Sequence, residues 1–442
     1  MSPRSAEVCS RDDSQIIANA AWHSLLWLVI GNCIGVLLAV LLLVPALNRW
    51  LGEWTYGRWI MVHMNLALYG WGSLPMLGFL FKVYGADRGT PAAWCRPVLW
   101  AWSAALAVAS LTWLSGESSG KLFLDWSGYA RIAFPLAMLA LWLLLAVSFV
   151  RTFKTADAAW TARIAKLLGL AILLAVPFAI YVASSPNLYP AVNPDTGGPT
   201  GASQLESSLI VVAILLMLPF GLARRKKGSL WPVAASWAAL VAESALCVSM
   251  ARGDTSHHSP AQFLSLGSLL LWLPLTPAYY EAFEWHANTR RWRSAFLWWW
   301  GGLLVSGWVL FLPGVLDYFK FTDGLVGHSF TAMAGFLSAL LIFVMVQLLG
   351  EDGWIFTQTR SFHAWNWGVF AYVAIMSLSG WFEGSDPAFT ITFGPLRNVL
   401  YILRLATGVI MLAASLEWLV DASALLGKRE LATAHVVQEK TA

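Results

Sequence analysis

The strongest constraint in this chain is a recurrence of about twelve runs of roughly 20 mostly apolar residues, each long enough to cross the hydrocarbon core of a bilayer. The runs begin near Trp22, Arg58, Pro97, Tyr129, Ile164, Ser203, Leu230, Gln262, Ala295, Leu325, Phe362 and Leu396. Glycines and prolines lie inside several of them, as membrane helices tolerate. The whole chain is 58% hydrophobic and 12% charged, against about 25% charged for a soluble globular protein. The expected fold is an all-α integral membrane protein with about twelve transmembrane helices. No long polar insert, internal repeat or low-complexity segment divides the runs. Residues 1–442 therefore read as a single polytopic membrane domain with polar tails at about 1–20 and 425–442. The net charge of +4 reads as loop bias, and nucleic acid is not an expected partner.

Lysine and arginine give the direction. The connection after the fourth run carries Arg151, Lys154, Arg163 and Lys166; that after the sixth carries Arg224, Arg225, Lys226 and Lys227; that after the eighth carries Arg290, Arg291 and Arg293. The intervening stretch "SSPNLYPAVNPDTGGPTGAS" has none. By the positive-inside rule both termini lie in the cytoplasm. The polar start "MSPRSAEVCSRDDSQ" precedes a long apolar run and lacks the pattern of a cleaved signal peptide. Tryptophans at segment ends, such as "LWWW" at 297–300, read as an interfacial belt. No C-x-x-C-H occurs, so no c-type haem is expected on this chain.

This orientation sorts the histidines. His63 lies just inside the second span, His257 and His258 end the seventh, and His328 lies just inside the tenth, all at the outer level of the bilayer. Any one of them could be a structural group bonded to a carbonyl or water, and "ARGDTSHHSP" could be a plain loop. Together they form a candidate metal or haem level, because neutral imidazole is the commonest metal ligand and an axial ligand of haem iron. His23, His286, His363 and His435 read as surface or interfacial groups. Two charges sit deeper. Glu243, in "ALVAESALCV", is either a protonated or hydrogen-bonded structural group or part of a proton path. Arg404, in "LYILRLATG", cannot discharge and must meet an anion, for which a haem propionate or the loop carboxylate Asp323 would serve.

With those residues in view, the chain resembles the catalytic subunit (subunit I) of the haem-copper oxidases, and specifically the cbb(3)-type cytochrome c oxidases. "GRWIMVHMN" is similar to that family's second helix, with its low-spin haem histidine. "HHSP" falls at its copper-binding histidine pair, and "PAYYEAFEWH" resembles its eighth helix and the loop that follows. "FTDGLVGHSFTAMAGF" is similar to its tenth helix, where a G-H-x-H motif serves both haems. "FHAWNWGVFAYVAIMSLSGWFEG" and "YILRLATG" match its last two helices. The resemblance implies a subunit I-like bundle. It implies His328 as the proximal ligand of a high-spin haem, His63 as a ligand of a second haem, Arg404 as a propionate partner, and one or two haems b.

The chain departs from the family at three places. The second histidine of G-H-x-H is Phe330. The copper-ligand histidine of the sixth helix is missing from "NPDTGGPTGASQLES", and the cross-linked tyrosine is missing from "AESALCVSMARGDTS". A second metal, copper or non-haem iron, would be left with His257, His258 and a carboxylate, Glu206 or Asp195. That set suits iron better, as in the nitric oxide reductases of the same superfamily. The implied function is a haem-binding respiratory subunit of the bacterial inner membrane. It would take electrons from a c-type cytochrome subunit or soluble cytochrome c, sit with other small membrane subunits in the lipid bilayer, and reduce oxygen or nitric oxide. The alternative is a catalytically degenerate electron-relay or scaffold subunit without a complete copper site. A transporter without redox centres is the third class, and the histidine level argues against it.

Overall fold

The computed structural model describes residues 3–121, 123–153, 160–185, 187–188, 205–250 and 258–441, with the side chains of 3–14, Glu206, Met250 and 430–441 left aside. Twelve helical runs occupy the twelve expected positions. They are α1 (Pro3–Leu43), α2 (Tyr56–Tyr84), α3 (Ala92–Leu114), α4 (Ala130–Phe153), α5 (Trp160–Ala183) and α6 (Leu205–Leu222). They continue as α7 (Leu230–Met250), α8 (Pro260–Glu281), α9 (Arg290–Leu310), α10 (Asp323–Phe356), α11 (Thr359–Ser385) and α12 (Gly394–Thr441). Among the described residues nine helices are long and apolar enough to cross a membrane. The other three, α6, α9 and α11, are 18, 21 and 27 residues long. The protein is an all-α, multi-pass membrane bundle. Its described extended structure is one two-residue antiparallel ladder, β1 (Arg224–Arg225) with β2 (Phe283–Glu284), which ties the basic loop after α6 to the end of α8.

The chain divides into two compact units. The first comprises residues 1–200, 351–361 and 412–442, the second 201–350 and 362–411. In the first, α1 packs on α2 and α3, and α4 packs between α3 and α5. Trp126 and Phe134 stack at 4.0 Å, with Tyr69 edge-on to both. The α3–α4 loop is held from inside. Asp125 accepts from the Ser118 and Ser119 hydroxyls at 2.9 and 3.0 Å, and Lys121 donates to the Ser185 carbonyl at 3.0 Å. Burial pushes the Lys121 amine below its ordinary value.

In the second unit α9 packs on α10, and α7 packs on α6 and α8. Lipid tails are as apolar as leucine, so these contacts rest on close fit and hydrogen bonds, not on exclusion of water. At Gly380 of α11 any Cβ would collide with the backbone of Gly324 on α10, so only glycine permits that approach. The "LWWW" run is only partly a belt. Trp298 is exposed, but Trp299 donates to Asn366 Oδ1 at 2.9 Å and Trp300 to Thr276 Oγ1 at 3.0 Å. Two of the three indoles therefore join helices, because in hydrocarbon an indole N–H finds no water to satisfy it.

Candidate functional site

The N-terminus of α10 sets the position of His328. Thr322 caps the helix by accepting from the Gly324 N–H at 3.2 Å, and one further turn brings His328 to the half-buried side. There the ring meets α9. Ser306 Oγ lies 3.3 Å from the Leu303 carbonyl, to which it donates, and 3.0 Å from His328 Nδ1. In the tautomer that keeps the hydroxyl hydrogen on the Leu303 carbonyl, Nδ1 donates to Ser306 Oγ. The lone pair of the neutral ring therefore sits on Nε2. Nε2 has no hydrogen-bond partner among the described residues. The ring edge faces Gly307, where an added Cβ would lie 3.4 Å from Cε1 and 3.9 Å from Nε2. An imidazole with Nδ1–H anchored and Nε2 open is the arrangement of a metal-ligating histidine.

Two residues beyond His328, the Phe330 ring stacks on Tyr372 of α11 at 4.1 Å between centroids. Arg404 of α12 lies over the same tyrosine, its Cζ 5.6 Å from the ring centre. Its guanidinium meets Asp323 Oδ1 at 3.5 Å, with the two side chains 13% and 17% exposed. The Asp323 carboxylate, one of the two anions expected for Arg404, is in contact with it. Glu383 joins the same cluster: Oε2 accepts the Asp323 backbone N–H at 2.7 Å, and Ser379 donates to Asp323 Oδ2 at 3.0 Å. Two carboxylates thus face one guanidinium. Replacing Arg404 by methionine should cost about 3 kcal/mol, because it strands Asp323 and Glu383 against each other. Asp323→Asn in that background should recover part of the loss, read by thermal unfolding in detergent.

His63 belongs to the first unit. Its Nδ1 donates to the Gly31 carbonyl of α1 at 2.8 Å, which again places the lone pair on Nε2. The ring edge fills the groove at Gly35, where a Cβ would fall 2.8 Å from Cε1. Both histidines stand three residues ahead of a π-helical segment, Leu66–Trp71 after His63 and Thr331–Leu337 after His328. Such segments gather at functional sites, and no residue pattern announced them.

The second-metal set is less complete. His258 sits exposed at the start of α8, with Nδ1 3.7 Å from Asp317 Oδ2. His257 and Asp195 lie outside the described residues, as does the side chain of Glu206. Among the described residues no three His, Cys, Asp or Glu side chains converge as metal ligands. Sequence reasoning missed Ser306 and Glu383. The only signal for either was the rule that a polar group inside a membrane needs a partner.

No protein-family model matches the chain, and no curated protein does. Among solved structures it is similar to a chain of a heme-copper terminal oxidase dimer determined by cryo-EM. The TM-score is 0.52 and the identity 12%, over 93% of this chain and 84% of that one. The class defined by the helices is a multi-pass membrane bundle. Within that class the fold is similar to that of the oxidase chain.

Proposed function

We propose that this protein is a haem-binding subunit of a respiratory membrane complex in the haem-copper oxidase superfamily, nearest in its motifs to the cbb(3) type. The observation that carries the reading is His328, with Nδ1 paired to Ser306 Oγ and Nε2 without a hydrogen-bond partner among the described residues. A haem held there supplies one-electron exchange and an open iron position for a small gas. His328 would hold it through Nε2. Ser306 fixes the tautomer and ring orientation and raises the basicity of Nε2. On this histidine the donors present would hold one haem, which the reading takes as haem b.

His63 offers a second donor with its tautomer likewise set, but Phe330 carries no ligating atom and is stacked on Tyr372. A bis-histidine haem of the family's kind does not fit these residues. Arg404 is engaged by Asp323, so a propionate would have to share it or compete for it. For copper or non-haem iron, His258 is the candidate described, with His257 and Glu206 as its expected companions. No catalytic step is assigned to that metal. The incomplete donor set favours a second reading, an electron-relay or scaffold subunit that passes electrons from a c-type cytochrome without reducing oxygen itself. A pyridine haemochrome assay with metal analysis on the purified protein separates the two. The relay reading expects haem without a stoichiometric second metal, and the enzyme reading expects both.

The proposed location is the bacterial inner membrane with both termini cytoplasmic, on the lysine and arginine bias of the connections. A reporter fused at the C-terminus should be active only in its cytoplasmic form. Activity of a periplasm-dependent reporter at that end would reverse the topology.

A further inference from the structure

Helix α7 carries an acid that the haem reading does not use. Glu243 is 5% exposed, and the fully buried Trp272 of α8 donates its indole N–H to Oε2 at 2.6 Å. The other oxygen, Oε1, is buried with no hydrogen-bond partner among the described residues. No lysine, arginine, histidine or second acid of the described residues faces the carboxyl; the groups beside it are Trp272 and the Ser268 hydroxyl. An ionised carboxylate with one donor and no cation is a costly arrangement in hydrocarbon. A neutral acid is not, because it presents one O–H donor and one carbonyl acceptor. The carbonyl oxygen takes the indole N–H. On the other side of the carboxyl stands Ser268, whose own hydrogen is committed to the Ser265 carbonyl at 2.7 Å.

Ser268, half-buried, is also the lowest step of a polar ladder on α8. Ser265 and Gln262 follow at successive three-residue steps, 2% and 4% exposed, and Ser265 donates to the Gln262 carbonyl at 3.0 Å. Six residues of helix carry this ladder about 9 Å toward the Pro260 end, where His258 is exposed.

We propose that Glu243 is a proton-binding site inside the membrane-spanning part of the protein, exchanging its proton with the aqueous face at the Pro260 end of α8 along the polar side of that helix that carries Ser268, Ser265 and Gln262. The inference does not depend on haem at His328.

Two measurements on the full chain in lipid vesicles test it. The first is infrared spectroscopy of the carboxylic-acid C=O stretch in H2O and D2O. The second is labelling with a hydrophobic carbodiimide. In the labelling reaction the acid O–H adds across a C=N bond: the carboxyl oxygen bonds to the central carbon, the proton goes to nitrogen, and nothing leaves. Wild-type protein should show a deuterium-sensitive band and carry the reagent's full mass on the peptide containing Glu243. Glu243→Gln should lose both. Ser265→Ala with Ser268→Ala should keep the band but slow its deuterium exchange several-fold. Absence of both the band and the label in wild-type protein overturns the site, whatever the variants do. Unchanged exchange in the serine variant overturns the route.

Discussion

Replacing His328 with alanine removes one haem equivalent per chain in a pyridine haemochrome assay, with the elution profile of the folded protein retained. The expectation follows from the few things the ring does. Its one hydrogen bond is to Ser306, so the substitution releases a hydroxyl that still donates to the Leu303 carbonyl, and no buried charge is stranded. The fold therefore survives while the axial donor is lost. Ser306→Ala makes the complementary test. It leaves Nε2 in place but frees the ring to turn and change tautomer, and losing such an outer partner typically costs about 10–100-fold in metal affinity. Haem should be retained in that variant at reduced occupancy. A folded His328→Ala protein with unchanged haem content would refute the assignment.

The second large expectation is an absence of ordinary oxidase chemistry. Oxygen-bond cleavage in the resembled family draws on a haem iron, a three-histidine copper and a nearby tyrosine. Here the sequence keeps two adjacent histidines of that set and no tyrosine ahead of them. The described member, His258, is exposed and within 3.7 Å of Asp317 Oδ2. Metal affinity falls when a donor is missing and water fills the open position. Purified protein should therefore carry copper well below one equivalent and show weak or no cytochrome c oxidase activity even when haem is present. One firmly bound copper per chain, with cyanide-sensitive oxygen uptake at ordinary oxidase rates, would reverse this view. If a second metal is found, Glu206→Ala should release it, since Glu206 is the carboxylate proposed as its extra donor.

What the sequence made legible follows from what is local. A run of about 20 apolar residues is a membrane-length helix wherever it occurs, and all twelve runs are helices. The need of Arg404 for an anion was legible for the same reason, since guanidinium cannot shed its proton. Asp323 was one of two anions it could meet. The tryptophans of "LWWW" were less legible. Their composition suits an interface, yet Trp299 and Trp300 turn to Asn366 and Thr276, residues 67 and 24 positions away.

The sequence by itself determined the membrane class and the order of the helices, because hydropathy adds along the chain residue by residue. Only the tertiary structure decided which nitrogen of His328 is open, that Phe330 is committed to Tyr372, that Glu383 shares the cation of Asp323, and that one oxygen of Glu243 is left without a donor. Those are pairwise matters. In a medium without water each polar atom must find its partner within the protein, and the partner sits on another helix, at a separation that no local pattern records.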